Sequence, residues 1–118
     1  MDTNFTYDFA LINDKVPMIE FLNSLSIKER AKIFAYIDKF IELKNNGIAP
    51  KKKLSKHIGG GIFELRVGFQ NRISRSFYFY EASKVIMFTN GFIKKDQKTP
   101  KKEIAKAISI RNCVRGEI

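Results

Sequence analysis

Residues 62–80 read Ile62–Phe63–Glu64–Leu65–Arg66–Val67–Gly68–Phe69, then Gln70–Asn71, then Arg72–Ile73–Ser74–Arg75–Ser76–Phe77–Tyr78–Phe79–Tyr80. The first eight residues alternate. Phe63, Leu65 and Val67 face one way, and Glu64 and Arg66 the other, which is the two-residue period of a strand. The last nine carry Ile73, Phe77 and Phe79 on one parity. Gly68–Phe69–Gln70–Asn71 supplies a hairpin turn between them. A third apolar run, Lys84–Thr89, is entered through Glu81–Ala82–Ser83. Consecutive strands with short connections predict an antiparallel meander.

Upstream, Ser26 with Glu29 three residues on has the spacing of a capping box. Ala31, Phe34, Ile37 and Ile41 follow at helical spacing, with Ile33, Tyr36 and Phe40 widening the stripe. Asn45–Asn46–Gly47 is a stop, so residues 26–45 are predicted as a helix. Pro17 fits the first turn of a shorter helix reaching about Leu25. Residues 4–12, with Phe5, Tyr7, Phe9 and Leu11 alternating, predict a strand. Residues 48–61 read as a basic loop with one turn around Leu54. Its Gly59–Gly60–Gly61 lacks the Gly-Lys-Ser/Thr ending of a phosphate cradle. Downstream, Thr99 as cap and Pro100 at the first helical position open a last helix. Ile104, Ala107, Ile108 and Arg111 line one side of it. The layout is strand, two helices, three strands, helix. It predicts a single α+β domain over residues 1–118, a small antiparallel sheet with helices on one face.

A chain of 118 residues buries enough surface to fold without staples. Its 13% aromatic content excludes a disordered chain. A lone cysteine, Cys113, excludes an internal disulfide framework and fits a reducing compartment. No apolar run approaches the roughly 20 residues of a membrane span, and no signal-peptide pattern opens the chain. The expectation is a soluble cytoplasmic protein with no membrane role.

The charge is uneven. Residues 1–47 hold six basic and seven acidic residues, net −1, whereas residues 48–118 hold sixteen and five, net +11. Such asymmetry is the electrostatic footprint of a polyanion partner, most often nucleic acid. The alternatives are solubility or an acidic protein partner. One histidine and one cysteine leave no zinc constellation and no Cys/His or Ser/His couple. His57 reads as a solvated loop residue. The sequence therefore predicts no metal and no cofactor.

What remains is cations beside aromatics. Arg66 lies on the polar, exposed-reading face of its strand, and Arg72 and Arg75 lie in the next. By parity Arg75 shares a face with Ile73, Phe77 and Phe79. Either that face is only partly buried or Arg75 pairs with a buried acid such as Glu64. Lys94, Lys95, Lys98, Lys101 and Lys102 lie in the run from the last strand to the last helix, and Lys51, Lys52 and Lys53 in the upstream loop.

The set Phe63–Glu64–Leu65–Arg66–Val67, Arg75–Ser76–Phe77–Tyr78–Phe79, and Gly91–Phe92–Ile93–Lys94–Lys95–Asp96–Gln97–Lys98–Thr99–Pro100 with Glu103–Ile104 resembles the HigB toxins. These form the phage-derived branch of the RelE/ParE toxin superfamily. The resemblance is dense over residues 62–108. Upstream it rests on element order. It implies a small twisted antiparallel sheet with an N-terminal helical hairpin and a C-terminal helix. It implies a type II toxin that cleaves mRNA as a metal-independent endoribonuclease on translating ribosomes. It also implies a HigA-like helix-turn-helix antitoxin as partner, with operator DNA reached only through that antitoxin. Asn90 stands where many relatives have a histidine before Gly-Phe. The superfamily also holds non-catalytic toxins that inhibit DNA gyrase, so an alternative is docking to a protein target.

On this resemblance Arg66 and Arg75 are the candidates to grip phosphate, since guanidinium is a planar fork that stays charged. Each such contact is worth about 3–4 kcal/mol in the transition state. Lys94 and Lys95 are the candidates for proton transfer, with Glu64 as rival base. Lys51, Lys52, Lys53, Arg72, Lys98, Lys101 and Lys102 are the candidate RNA contacts. Tyr78 and Tyr80 are either core or a platform for a base.

Overall fold

The computed structural model describes residues 4–82, 84–94 and 98–116. The elements run β1 (Thr6–Phe9), α1 (Pro17–Asn23), α2 (Ile27–Asn45), β2 (Ser55–Gly59), β3 (Ile62–Gly68), β4 (Ile73–Glu81), β5 (Val85–Lys94) and α3 (Lys101–Val114). The five strands form one sheet in the order β1-β5-β4-β3-β2. This is the expected α+β architecture, with its helix pair near the N-terminus and a helix at the C-terminus.

The meander β3–β4–β5 is antiparallel as predicted. β1, however, pairs with β5 in parallel, Thr6 opposite Val85 through Phe9 opposite Phe88. α1 and α2 carry the chain across the sheet to β2 at the opposite edge, and the meander returns to set β5 beside β1, the long crossover that a parallel neighbour requires.

Helix α2 begins with the capping box read from sequence. The Glu29 amide donates to Ser26 Oγ at 3.1 Å, and the Ser26 amide donates to Glu29 Oε1 at 3.0 Å. Its buried seam is Ile33, Ile37 and Phe40. Ala31, expected on that seam, is exposed, and Phe34 and Ile41 are half-buried at its flank. α1 and α2 pack over Leu65, Val67, Tyr78, Ile86 and Phe88. The opposite face, with Ile62, Phe77 and Phe79, lies under Ala107 and Ile108 of α3. Helices therefore cover both faces, a correction to the one-face expectation. β4 shows why: both of its parities are apolar, and six consecutive residues, Ser74–Phe79, are buried.

Two strands depart from the sequence reading. The stretch taken as a basic loop holds the turn around Leu54 but then forms β2, an edge strand. Its glycines make the return to β3. Gly60 and Gly61 have φ of 62° and 79°, the positive values that a two-residue hairpin turn of the primed kind demands. β5 runs five residues past Thr89. A β-bulge sets Thr89 and Asn90 opposite Phe77, between the register pairs Tyr78–Phe88 and Ser76–Gly91. Asn90–Gly91 reads as a turn, but the bulge absorbs it. A Cβ on Gly91 would sit 2.0 Å from the Phe21 ring of α1. Glycine is needed there so that α1 can lie on the sheet.

Candidate functional site

On the α3 side of the sheet the register aligns two cross-strand rows. Lys56 of β2 faces Glu64 of β3, which faces Phe77 of β4. One pair further along, Arg66 faces Arg75, which faces Phe92 of β5. The polar parity of β3 thus shares a face with the aromatic parity of β4, and α3 closes over both. Glu64 and Arg75 are fully buried.

Burial forces pairing. A carboxylate out of water needs charged or hydrogen-bonding partners, and so does a guanidinium. Glu64 Oε2 accepts from Arg66 Nε at 2.7 Å. Glu64 Oε1 accepts from Thr99 Oγ1 at 2.8 Å and lies 3.6 Å from Arg75 Nε. Thr99 was expected to cap α3. The cap position is instead Pro100, with no side-chain cap bond, and the Thr99 hydroxyl is committed to Glu64. Two guanidiniums around one carboxylate leave one net positive charge at this end of the sheet. In a poorly hydrated setting such a charge attracts an anion over a longer range than a surface lysine does.

This geometry reassigns three candidates. Arg75, a candidate phosphate grip, has no exposed surface, and its guanidinium lies against Glu64. Glu64 holds Arg66, Arg75 and Thr99 and is buried, which does not suit a base that must reach a ribose hydroxyl. Arg66 was read as exposed, but its side chain keeps only 15% exposure. It is the member of the triad that reaches solvent.

Lys94 ends β5 opposite Ile73, on the same side as Phe92 and Arg75, and is half-buried. Lys95 lies outside the described residues. Lys98, Lys101 and Lys102 are exposed beside Thr99 and in the first turn of α3. Cations at a helix N-terminus oppose its dipole, so helix stability does not account for Lys101 and Lys102. Lys51, Lys52 and Lys53 are exposed in the turn before β2. Arg72 stands apart from this set. It forms an ion pair with Glu29, tying the β3–β4 turn to the start of α2. The Arg72 hydrogen bond, then the Ser26 amide, holds the Glu29 carboxyl below its usual value.

Among the aromatics, Tyr78 is core. Its hydroxyl is 2.7 Å from Ser55 Oγ, and burial pushes its phenol well above the usual value. It cannot stack on a base. Tyr80 is half-buried with Lys44 Nζ 4.9 Å from its ring centre. His57 is exposed as expected, on β2 rather than in a loop. Its Nε2 accepts from the Gly61 amide at 3.2 Å, and its ring packs on Phe63 at 5.0 Å.

Lys56 was missed. It is exposed, shares the face of Glu64, and borders a cavity of about 370 Å³ with His57, Lys98 and Thr99. The sequence carried little signal for it, because Lys51, Lys52 and Lys53 just upstream give the whole segment a loop's composition. Among the described residues, no group of three or more His, Cys, Asp or Glu is placed to hold a metal ion. No helix there is long and apolar enough to cross a membrane.

No curated protein matches the chain. The family model described as Phage derived protein Gp49-like (DUF891) matches residues 20–112. That span runs from α1 into α3 and contains Glu64, Arg66, Arg75 and Thr99, and on this match the chain belongs to the Gp49-like phage-derived family.

Proposed function

We propose that the chain is the toxin of a type II toxin–antitoxin pair, a HigB-like endoribonuclease that cleaves mRNA on translating ribosomes without a metal ion. One observation carries the reading. Glu64 orients Arg66 through a 2.7 Å bond, against Arg75 and beside Lys94, Lys98, Lys101 and Lys102. The phage-derived family and the resemblance of residues 62–108 to HigB toxins support it.

In this reading a ribose 2′-oxygen attacks the adjacent phosphorus. The O2′–P bond forms as the P–O5′ bond breaks, leaving a 2′,3′-cyclic phosphate and a 5′-hydroxyl. The 2′-hydroxyl proton passes to a base, and the departing 5′-oxygen gains one. Arg66 meets the non-bridging oxygens, where the phosphorane carries its extra charge. Glu64 and Arg75 fix the direction of that fork. Lys94 and Lys95 serve proton transfer, and Lys51, Lys52, Lys53, Lys56, Lys98, Lys101 and Lys102 meet flanking phosphates. A HigA-like helix-turn-helix antitoxin holds the protein inactive and alone contacts operator DNA. The toxin acts in the cytoplasm, where the ribosomes are.

The test is induced expression without antitoxin, with mRNA followed by primer extension. Growth should stop and discrete mRNA breaks should appear, both relieved by Arg66→Ala. Growth arrest with intact mRNA would instead support a non-catalytic toxin docked on a protein target.

A further inference from the structure

A groove among the described residues opens where β2 ends. β3 continues past the register pair Ser55–Leu65 through Arg66 to Gly68, and β2 does not follow. The side of α2 and the turn before β2 wall this uncovered edge. They enclose about 680 Å³, within the range of about 300–1,000 Å³ typical of small-ligand sites. Tyr36 and Leu54 contribute apolar walls, while Lys39, Lys51, Lys53 and Arg66 contribute cations, and no carboxylate lines it among the described residues. Tyr36 is 36% exposed. Lys32 lies 5.7 Å from its ring centre and 5.9 Å from that of Phe69, and it donates to the Gly68 carbonyl. These contacts hold the ring at the end of the groove near Gly68.

We propose that this groove receives a base of the RNA strand adjacent to the phosphate at Arg66, with Tyr36 as its stacking platform. Aromatic rings within a cationic channel are the means by which proteins hold single-stranded nucleic acid. The ring takes the base face and the lysines take the backbone. Arg66 belongs to both the groove and the buried triad, so a strand whose phosphate meets Arg66 has its neighbouring base at the groove mouth. The absence of carboxylates among the lining residues suits a polyanion throughout. The inference rests on the RNA reading above and adds to it a location and a residue, Tyr36.

The experiment uses the full chain and 2′-O-methyl hexanucleotides, which lack the attacking hydroxyl and stay uncut. Fluorescence anisotropy compares an intact hexamer with one carrying a central abasic position. The wild type should bind the intact hexamer about tenfold tighter, as expected for stacking one base. Tyr36→Ala should abolish that difference and leave abasic affinity unchanged, and Tyr36→Phe should keep it. Because Tyr36 is surface-placed, circular dichroism should show both variants folded. A Tyr36→Ala protein that keeps the tenfold preference, or a wild type that has none, overturns the proposal. So does Tyr36-dependent binding of an acidic amphipathic peptide without base preference, which would give the groove to a protein partner. mRNA cleavage is scored separately. Base preference through Tyr36 without cleavage would sink the nuclease reading and keep the groove. Cleavage with no dependence on Tyr36 would do the reverse.

Discussion

Glu64 decides what the two arginines can do. Its carboxylate takes Arg66 on one oxygen and Thr99 on the other, with Arg75 close by. Removing one member of a buried charge pair strands the other, at a cost of about 3–5 kcal/mol. Arg75→Ala should therefore lower the unfolding free energy by about that amount in urea titration, and Glu64→Gln should do likewise. Arg66→Ala should cost much less stability, because its side chain still reaches water. Equal losses for Arg66→Ala and Arg75→Ala would refute this division of roles. Parity placed Arg75 on an apolar face and left two readings, a partly buried face or a pairing with an acid such as Glu64; burial of both side chains selects the second. The Thr99 contact was not. A hydroxyl before Pro100 has the local signature of a helix cap, and only the tertiary arrangement brings Glu64 within its reach.

Among the elements, α2 was legible to its cap because its signals are local. Hydrogen bonding to Arg72 lowers the Glu29 pKa in the folded state, so its contribution is present above the usual value of 4.5. It is lost as pH falls through the lowered folded value. Stability of the wild type should drop more steeply below pH 4.5 than that of Glu29→Gln, by thermal melts at several pH values. Parallel curves would show that the Arg72 contact contributes nothing. β2 was hidden because four lysines between residues 51 and 56 and the lone histidine give the segment a loop's composition. It is an edge strand, where exposed lysine is a common guard against further pairing. The end of β5 was hidden because Asn90–Gly91 mimics a turn. Gly91→Ala would drive a methyl into the Phe21 ring and should destabilise by about 1–3 kcal/mol in urea titration, with Phe21→Ala in the same chain restoring part of that loss. No rescue by Phe21→Ala would mean that the glycine serves the bulge and not the packing of α1.

For the molecule as a whole, the net +11 of residues 48–118 falls mainly on the turn before β2, on β2, on the end of β5, on α3 and on the connecting segments, while β3 and β4 are each neutral. The near-neutral N-terminal part supplies the helix pair on the other face. If about six cations meet phosphate, log K for RNA should fall with log salt at a slope of roughly −4 to −5. A slope near zero would leave that charge without a nucleic-acid role. The fold follows from alternation and caps, which sequence displays. The site arises from the register between strands, which sequence displays only in part. The central claim is that Arg66, aimed by Glu64, stabilises attack by a ribose 2′-oxygen, and the products record that chemistry. Synthetic mRNA cut by the purified chain on programmed ribosomes should carry 2′,3′-cyclic phosphate and 5′-hydroxyl ends. Arg66→Ala should lower the rate by at least about 100-fold while remaining folded. Products ending in 3′-hydroxyl and 5′-phosphate, or an undiminished rate in Arg66→Ala, would contradict it.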